Sequence, residues 1–113
     1  MKLEILMSCM HQTDGFLIQK TGINGDAVVI NQCDREAVSI FHTENGSARM
    51  FSTTQRGLTK SRNMAIEKAV ADICLLCDDD ELLVSNYSEK VAEACHLYGR
   101  IIGCNRLSVW RGI

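Results

Sequence analysis

Proline is absent from all 113 residues, so no loop is pinned by a ring-fixed backbone angle. There is also no excess of charge of one sign. The formal net charge is −2, which gives no electrostatic footprint for nucleic acid or for an anionic membrane surface. No apolar run approaches the roughly 20 residues that a membrane helix needs. The opening Met1-Lys2-Leu3-Glu4-Ile5 lacks the long apolar region and small-residue cleavage site of a signal peptide, so a cytoplasmic location is the default expectation. Internal repeats, low-complexity segments and an obvious linker are all missing. The chain is long enough for one domain and one core over residues 1–113, with residues 106–113 as a tail.

Six cysteines are present, but not in a pattern that holds zinc. Cys74 and Cys77 are spaced C-x-x-C within an apolar strand pattern, and residues three apart on a strand face opposite sides. No second C-x-x-C or C-x-x-H pair exists. Free buried thiols in a reducing compartment are therefore expected.

The most informative stretch is Cys77-Asp78-Asp79-Asp80-Glu81, which follows the apolar run Ile73–Cys77. Consecutive carboxylates at a strand end repel one another, and either a bound cation or a solvated turn relieves that repulsion. Hard oxygen ligands at such a place suit Mg²⁺ or Mn²⁺, with a substrate phosphate completing the shell.

Strands are expected over Leu3–Cys9, over Asp26–Cys33 with its core Ala27-Val28-Val29-Ile30, over Ile73–Cys77 and over Arg100–Asn105. Ala37–Phe41 reads as a short strand or an irregular piece, and Ala48–Ser52 as an edge strand. A short helix over Gly15–Thr21 can be capped by Asp14. A second, over Thr59–Ala71, has Thr59 or Ser61 as cap and Met64, Ile66, Ala69 and Val70 on its apolar side. A third is expected from Ser85 or Asn86 to Tyr98, with Gly99 to stop it. No periodicity is evident in the tail. Alternating strands and helices predict an α/β fold with a mainly parallel sheet flanked by helices. In such sheets ligands bind beyond the carboxyl ends of the strands, where Cys9-Met10-His11, Cys33-Asp34 and Asp78-Asp79-Asp80 all fall.

Four segments stand in a telling order: Met7-Ser8-Cys9-Met10-His11, Asn31-Gln32-Cys33-Asp34, Gln55-Arg56-Gly57-Leu58-Thr59-Lys60-Ser61-Arg62-Asn63-Met64-Ala65, and Ala71-Asp72-Ile73 through Asp80. Together they resemble the amino-terminal, nucleotide-binding half of family 2 glycosyltransferases with the Rossmann-like GT-A fold. The R-G-L-x-x-S-R-N segment carries the resemblance furthest, with A-x-D-I, an apolar strand and D-x-D following it. The match covers roughly residues 1 to 105.

The resemblance implies a nucleoside-diphosphate sugar, a UDP-sugar foremost, bound with Mn²⁺ or Mg²⁺ for inverting glycosyl transfer to a sugar or glycan acceptor. It implies that Ser8, Cys9 and Met10 wall the base pocket. Asp34 would contact base or ribose, or else cap its own turn. Asp78 would face the ribose and Asp79 would belong to the donor nucleotide site, with Asp78 and Asp80 at the metal. Arg56, Lys60 and Arg62 flank a helix start that favours an anion, although Arg56 can also pair with the acidic run and Arg62 can simply fix the loop. His11 reads as a solvated loop residue. The family's catalytic domain is longer, and its general base has no counterpart motif here, so this half is expected to be incomplete as an independent catalyst. A sheet edge left uncovered would then call for the tail, self-association or a partner chain. The alternatives are a non-catalytic nucleotide-binding or protein-interaction module of the same descent, and an unrelated α/β protein with an Mg²⁺ pocket for phosphoryl transfer.

Overall fold

The computed structural model describes residues 3–71, 73–79, 83, 86–87, 89–90, 101–103 and 108–110. In chain order the elements are β1 (Leu3–Met10), α1 (Phe16–Thr21), β2 (Ala27–Gln32), β3 (Ala37–His42), β4 (Ser47–Thr53), α2 (Leu58–Lys68), β5 (Ile73–Asp78), β6 (Ile101–Gly103) and β7 (Ser108–Trp110). They form one mixed, mostly parallel sheet in the order β3-β4-β2-β1-β5-β6-β7. Strands β4, β2, β1, β5 and β6 run parallel, while β3 and β7 are antiparallel to their neighbours.

The apolar runs become the central strands because they are covered on both sides. On one face Ile5, Met7 and Cys9 of β1, Ala27 and Val29 of β2, and Ile73, Leu75 and Cys77 of β5 pack with Leu17 and Ile18 of α1 and with Tyr87. On the other face Leu6, Val28, Ile30 and Cys74 pack against Ala65 of α2, with Met64, Ile66 and Ala69 alongside. Each fully buried Ile or Leu contributes about 1.5–3 kcal/mol, so the three central strands anchor the fold. Cys74 and Cys77 fall in opposite clusters, as their spacing requires. Cys9, Cys33, Cys74 and Cys77 are free, buried thiols.

Helix α1 begins at Phe16, with Gly15 rather than Asp14 as its boundary residue and no side-chain cap, although Asp14 Oδ1, one residue earlier, accepts the Phe16 N–H at 3.0 Å. Gly22 ends the helix in the left-handed region (φ 81°), and its N–H is donated to the Gln19 carbonyl. A Cβ there would also approach the Leu83 carbonyl oxygen to 3.0 Å.

Other expectations change. Neither Thr59 nor Ser61 caps α2, because the helix begins at Leu58 with Gly57 as its boundary residue and no side-chain cap. Both hydroxyls lie inside the helix, and that of Ser61 is turned inward instead. The helix ends at Lys68, which leaves Val70 77% exposed rather than on the apolar side. Strand β4 is interior, not an edge, because β3 is a full antiparallel neighbour outside it. The tail contributes β7, which runs back along β6 with Ile101 opposite Trp110. Lys90 donates its N–H to the Asn86 carbonyl, a helical turn at the expected start of the third helix; residues 91–100 lie outside the described residues. Among the described residues no helix is long and apolar enough to cross a membrane.

The strand order changes direction at β1. The chain moves outward through β2 to β4, then returns through α2 to β5 on the other side. Sheets of this kind bind ligands at such a switch point, beyond the carboxyl ends of the strands.

Candidate functional site at the carboxyl ends of the strands

An open cleft of about 590 Å³ lies at that place, lined by Ser8, Cys9, Met10, Gln32, Arg56, Gly57, Leu58, Arg62 and Asp79. Strand β1 supplies its floor, the end of β2 one side, the loop into α2 a second side, and the residue after β5 a third. Residues from four distant parts of the sequence meet there because parallel strands all deliver their carboxyl ends to one rim.

Local bonds set the shape of the cleft. Ser61, buried in the first turn of α2, donates its hydroxyl to Ser8 Oγ at 2.6 Å and ties the helix start to β1. The Gln32 side-chain amide donates to the Gly57 carbonyl at 2.9 Å, fixing the loop before the helix against β2. Gly57 itself has φ 109°, a region that L side chains rarely adopt, although a Cβ would meet nothing within 4 Å. Glycine is thus required there by backbone conformation rather than by space. The first amide groups of α2 carry no side-chain cap. Such groups present partial positive charge to whatever lies beyond the helix start.

Arg56 is exposed, and its guanidinium donates to the carbonyls of Thr54 (3.2 Å) and Gln55 (3.5 Å) within its own loop. Arg62 is half-buried on the cleft wall, and so is Asp79. Among the described residues the site combines two cations, one carboxylate and the apolar lips Met10 and Leu58, which are 46% and 53% exposed.

Cys9 is a poor nucleophile in this setting. Burial pushes its thiol up to about 12 from 9.0, and the nearby Asp79 carboxylate adds to the effect. It serves the cleft as a neutral, apolar wall.

Of the residues expected from sequence, Ser8, Cys9, Met10, Arg56, Arg62 and Asp79 come together here. Asp34 stands apart from the lining. It follows β2 on the same rim, but its side chain is 92% exposed, and its carboxylate lies 3.9 Å from the Arg35 guanidinium. Asp78 closes β5 opposite Ser8, which puts its backbone at the cleft, while its side chain and the whole of Asp80 lie outside the described residues. Among the described residues no group of three or more His, Cys, Asp or Glu side chains could hold a metal ion. Strand β5 brings the Asp78 backbone and Asp79 to the cleft, and carboxylate oxygen is the donor chemistry that a hard cation takes.

Sequence reasoning missed Gln32, Gly57 and Leu58. A glycine directly before a helix start was the available signal for one of them. For Gln32 the signal was its place at the end of β2, directly after the apolar run Ala27–Ile30 and Asn31.

Compared with known proteins, the chain matches no family model, and no curated protein or solved structure matches it.

Proposed function

We propose that this chain is the donor-binding part of a glycosyltransferase-like protein of GT-A type, with a Rossmann-like sheet, which binds a nucleoside-diphosphate sugar together with Mn²⁺ or Mg²⁺. One observation carries the reading. The segments that resemble family 2 glycosyltransferases in sequence border a single cleft at the topological switch point of a mostly parallel sheet.

In this reading the apolar lips Met10 and Leu58 and the neutral Cys9 wall receive the base. Arg56, Arg62 and the uncapped amides of α2 face the diphosphate, since helix starts and guanidinium groups both favour phosphate oxygens. The acidic run after β5 holds the cation, with Asp78 and Asp80 as its ligands and Asp79 on the cleft wall. When bound, the cation neutralises charge on the diphosphate. Asp34, well exposed on the rim, reaches the base or ribose only if the loop after β2 folds inward on binding.

The test is calorimetric titration with uridine diphosphate, with and without Mn²⁺. Binding is expected only with the metal, and Asp80→Ala is expected to remove the metal dependence. Binding that survives chelation, or survives Asp80→Ala unchanged, would sink the metal assignment. No binding under either condition would sink the nucleotide reading and leave a protein-interaction module as the better description.

A further inference from the structure

Asn31 is fully buried at the end of an otherwise apolar strand, Ala27-Val28-Val29-Ile30. An amide in such a place needs every one of its hydrogen bonds, because unmade bonds are expensive when water is excluded. It makes all four that its amide can offer. Its Oδ1 accepts the Gln12 N–H at 2.9 Å and the Cys9 thiol at 3.8 Å. Its Nδ2 donates to the Gln12 carbonyl at 2.8 Å and to Ser52 Oγ at 3.2 Å. Two of the four thus grip both polar groups of one residue's backbone, as a neighbouring strand would.

That residue follows the only non-glycine among the described residues with a positive φ, His11 at 55°. Left-handed backbone at a non-glycine residue persists only where the surroundings impose it. Here β1 ends at Met10, the chain turns sharply at His11, and the Asn31 amide catches it one residue later. The His11 N–H reaches the Gln32 carbonyl, and the Gln12 side chain donates to the Met10 carbonyl at 3.2 Å. Met10, the residue before the turn, is a lip of the cleft. A hydrophobic residue at position 31 would fill the core equally well but could not hold that turn.

We infer that Asn31 is a positioning residue: by clamping the Gln12 backbone it fixes the left-handed turn at His11 and so sets the Met10 wall of the nucleotide cleft. The inference rests on the nucleotide-binding reading proposed above for the value of that wall, but the clamp itself can be read without any nucleotide.

The experiment uses Asn31→Leu, which keeps the approximate size but can neither accept a bond from Gln12 nor donate one to it, with Ser52→Ala as a control that spares the Gln12 clamp. Hydrogen exchange is followed at the Gln12 amide and at Met50 in the core, alongside uridine diphosphate affinity with Mn²⁺. In Asn31→Leu, Gln12 is expected to exchange about tenfold faster and affinity to fall about tenfold, while Met50 stays protected. Ser52→Ala should change neither Gln12 exchange nor affinity. Should Asn31→Leu not fold, Asn31→Ala takes its place, since the smaller side chain cannot overpack the site.

Unchanged Gln12 exchange would overturn the inference, and so would faster exchange with unchanged affinity. Loss of the fold in both variants would make Asn31 a core residue and overturn it as well. If the wild-type protein binds no nucleotide, the nucleotide reading falls alone. Gln12 exchange then decides the clamp, a tenfold rise sustaining it and no change overturning it.

Discussion

The two rims of this sheet are built in opposite ways. At the amino rim, the Glu4 side chain is 4% exposed and paired with Arg49. Its carboxylate accepts the N–H groups of Val70 (2.7 Å) and Ala71 (3.0 Å) and the Arg49 guanidinium (3.1 Å). Arg49 also donates to the Lys68 carbonyl at 2.9 Å, and Asp26 Oδ1 accepts the Ser47 N–H at 3.1 Å. Arg49 and Lys68 both stand over the Phe51 ring, at 5.6 and 5.4 Å from its centre. The carboxyl rim instead leaves a cleft open, exposes two large apolar lips, and holds two backbone positions, His11 and Gly57, in the left-handed region. One rim spends its polar groups on closing the chain's own connections; the other uses Asn31, Gln32 and Ser61 in that way but still lines an open cleft with Arg56, Arg62 and Asp79. Stability and ligand binding should therefore separate by rim.

Glu4→Ala should give the largest stability change. It removes the acceptor for two backbone donors after α2 and leaves Arg49 half-buried without its anion. Breaking a buried pair costs about 3–5 kcal/mol, and partial exposure of Arg49 puts the expected loss near the lower end, about 3 kcal/mol. Urea denaturation measures it, with uridine diphosphate affinity expected to stay within about twofold of wild type once corrected for the unfolded fraction. A loss below about 1 kcal/mol, or a large selective loss of affinity, would break the division between rims.

Gly57→Ala should act on both properties. The added methyl group meets no neighbour, so any effect comes from the backbone angle of 109° alone. Strain of this kind amounts to about 1–3 kcal/mol. If the loop relaxes to avoid it, the Gln32 side chain loses the Gly57 carbonyl, the helix start shifts, and nucleotide affinity falls while stability is kept. If the loop holds, stability falls and affinity is kept. A variant unchanged in both, by denaturation and titration, would mean that the loop conformation matters to neither rim.

These rims were unequally legible in the sequence. The apolar runs of β1, β2 and β5 announce central strands because burial on both faces demands continuous hydrophobicity, and the acidic run after β5 announces a rim. The sequence leaves β3 open between a strand and an irregular piece, because an edge strand with Val38 and Ile40 more than 60% exposed has no covering layer to impose a pattern. The three residues of β7 are too short for any periodicity to show. Caps misled for a different reason. Thr59 and Ser61 are good cap residues, but the bond from Ser61 to Ser8 and the backbone freedom of Gly57 decide where α2 begins. Asn31 and Glu4 were invisible as determinants, because each acts through a backbone group far away in sequence, at Gln12 and at Val70.

The smallest effect at neutral pH is expected from the thiols, although they sit in both clusters. Burial raises Cys9 to about 12 and Cys74 to about 11, with the nearby carboxylates Asp79 and Glu4 adding to the shift in each case. A group whose folded value is raised binds its proton more tightly in the folded state. The associated stability is fully present below the unfolded value of 9.0 and is lost as pH rises through the folded values. Thermal denaturation should therefore show no thiol-dependent slope from pH 7 to 8.5, and a falling midpoint from about pH 9 to 11. Cys9→Ala and Cys74→Ala should each flatten that alkaline slope, at the price of a small cavity that lowers the midpoint at every pH. Cys9 is the sharper probe of the comparison because it lies on the open rim. If it reacts readily with iodoacetamide at pH 7.5 in the folded protein, the thiol is reachable from the cleft as thiolate, and the carboxyl rim is more open than its buried floor implies. If it stays unreactive until the protein unfolds, the cleft is open only down to a closed floor, and ligand selectivity must come from the walls that Met10, Arg56 and the start of α2 provide.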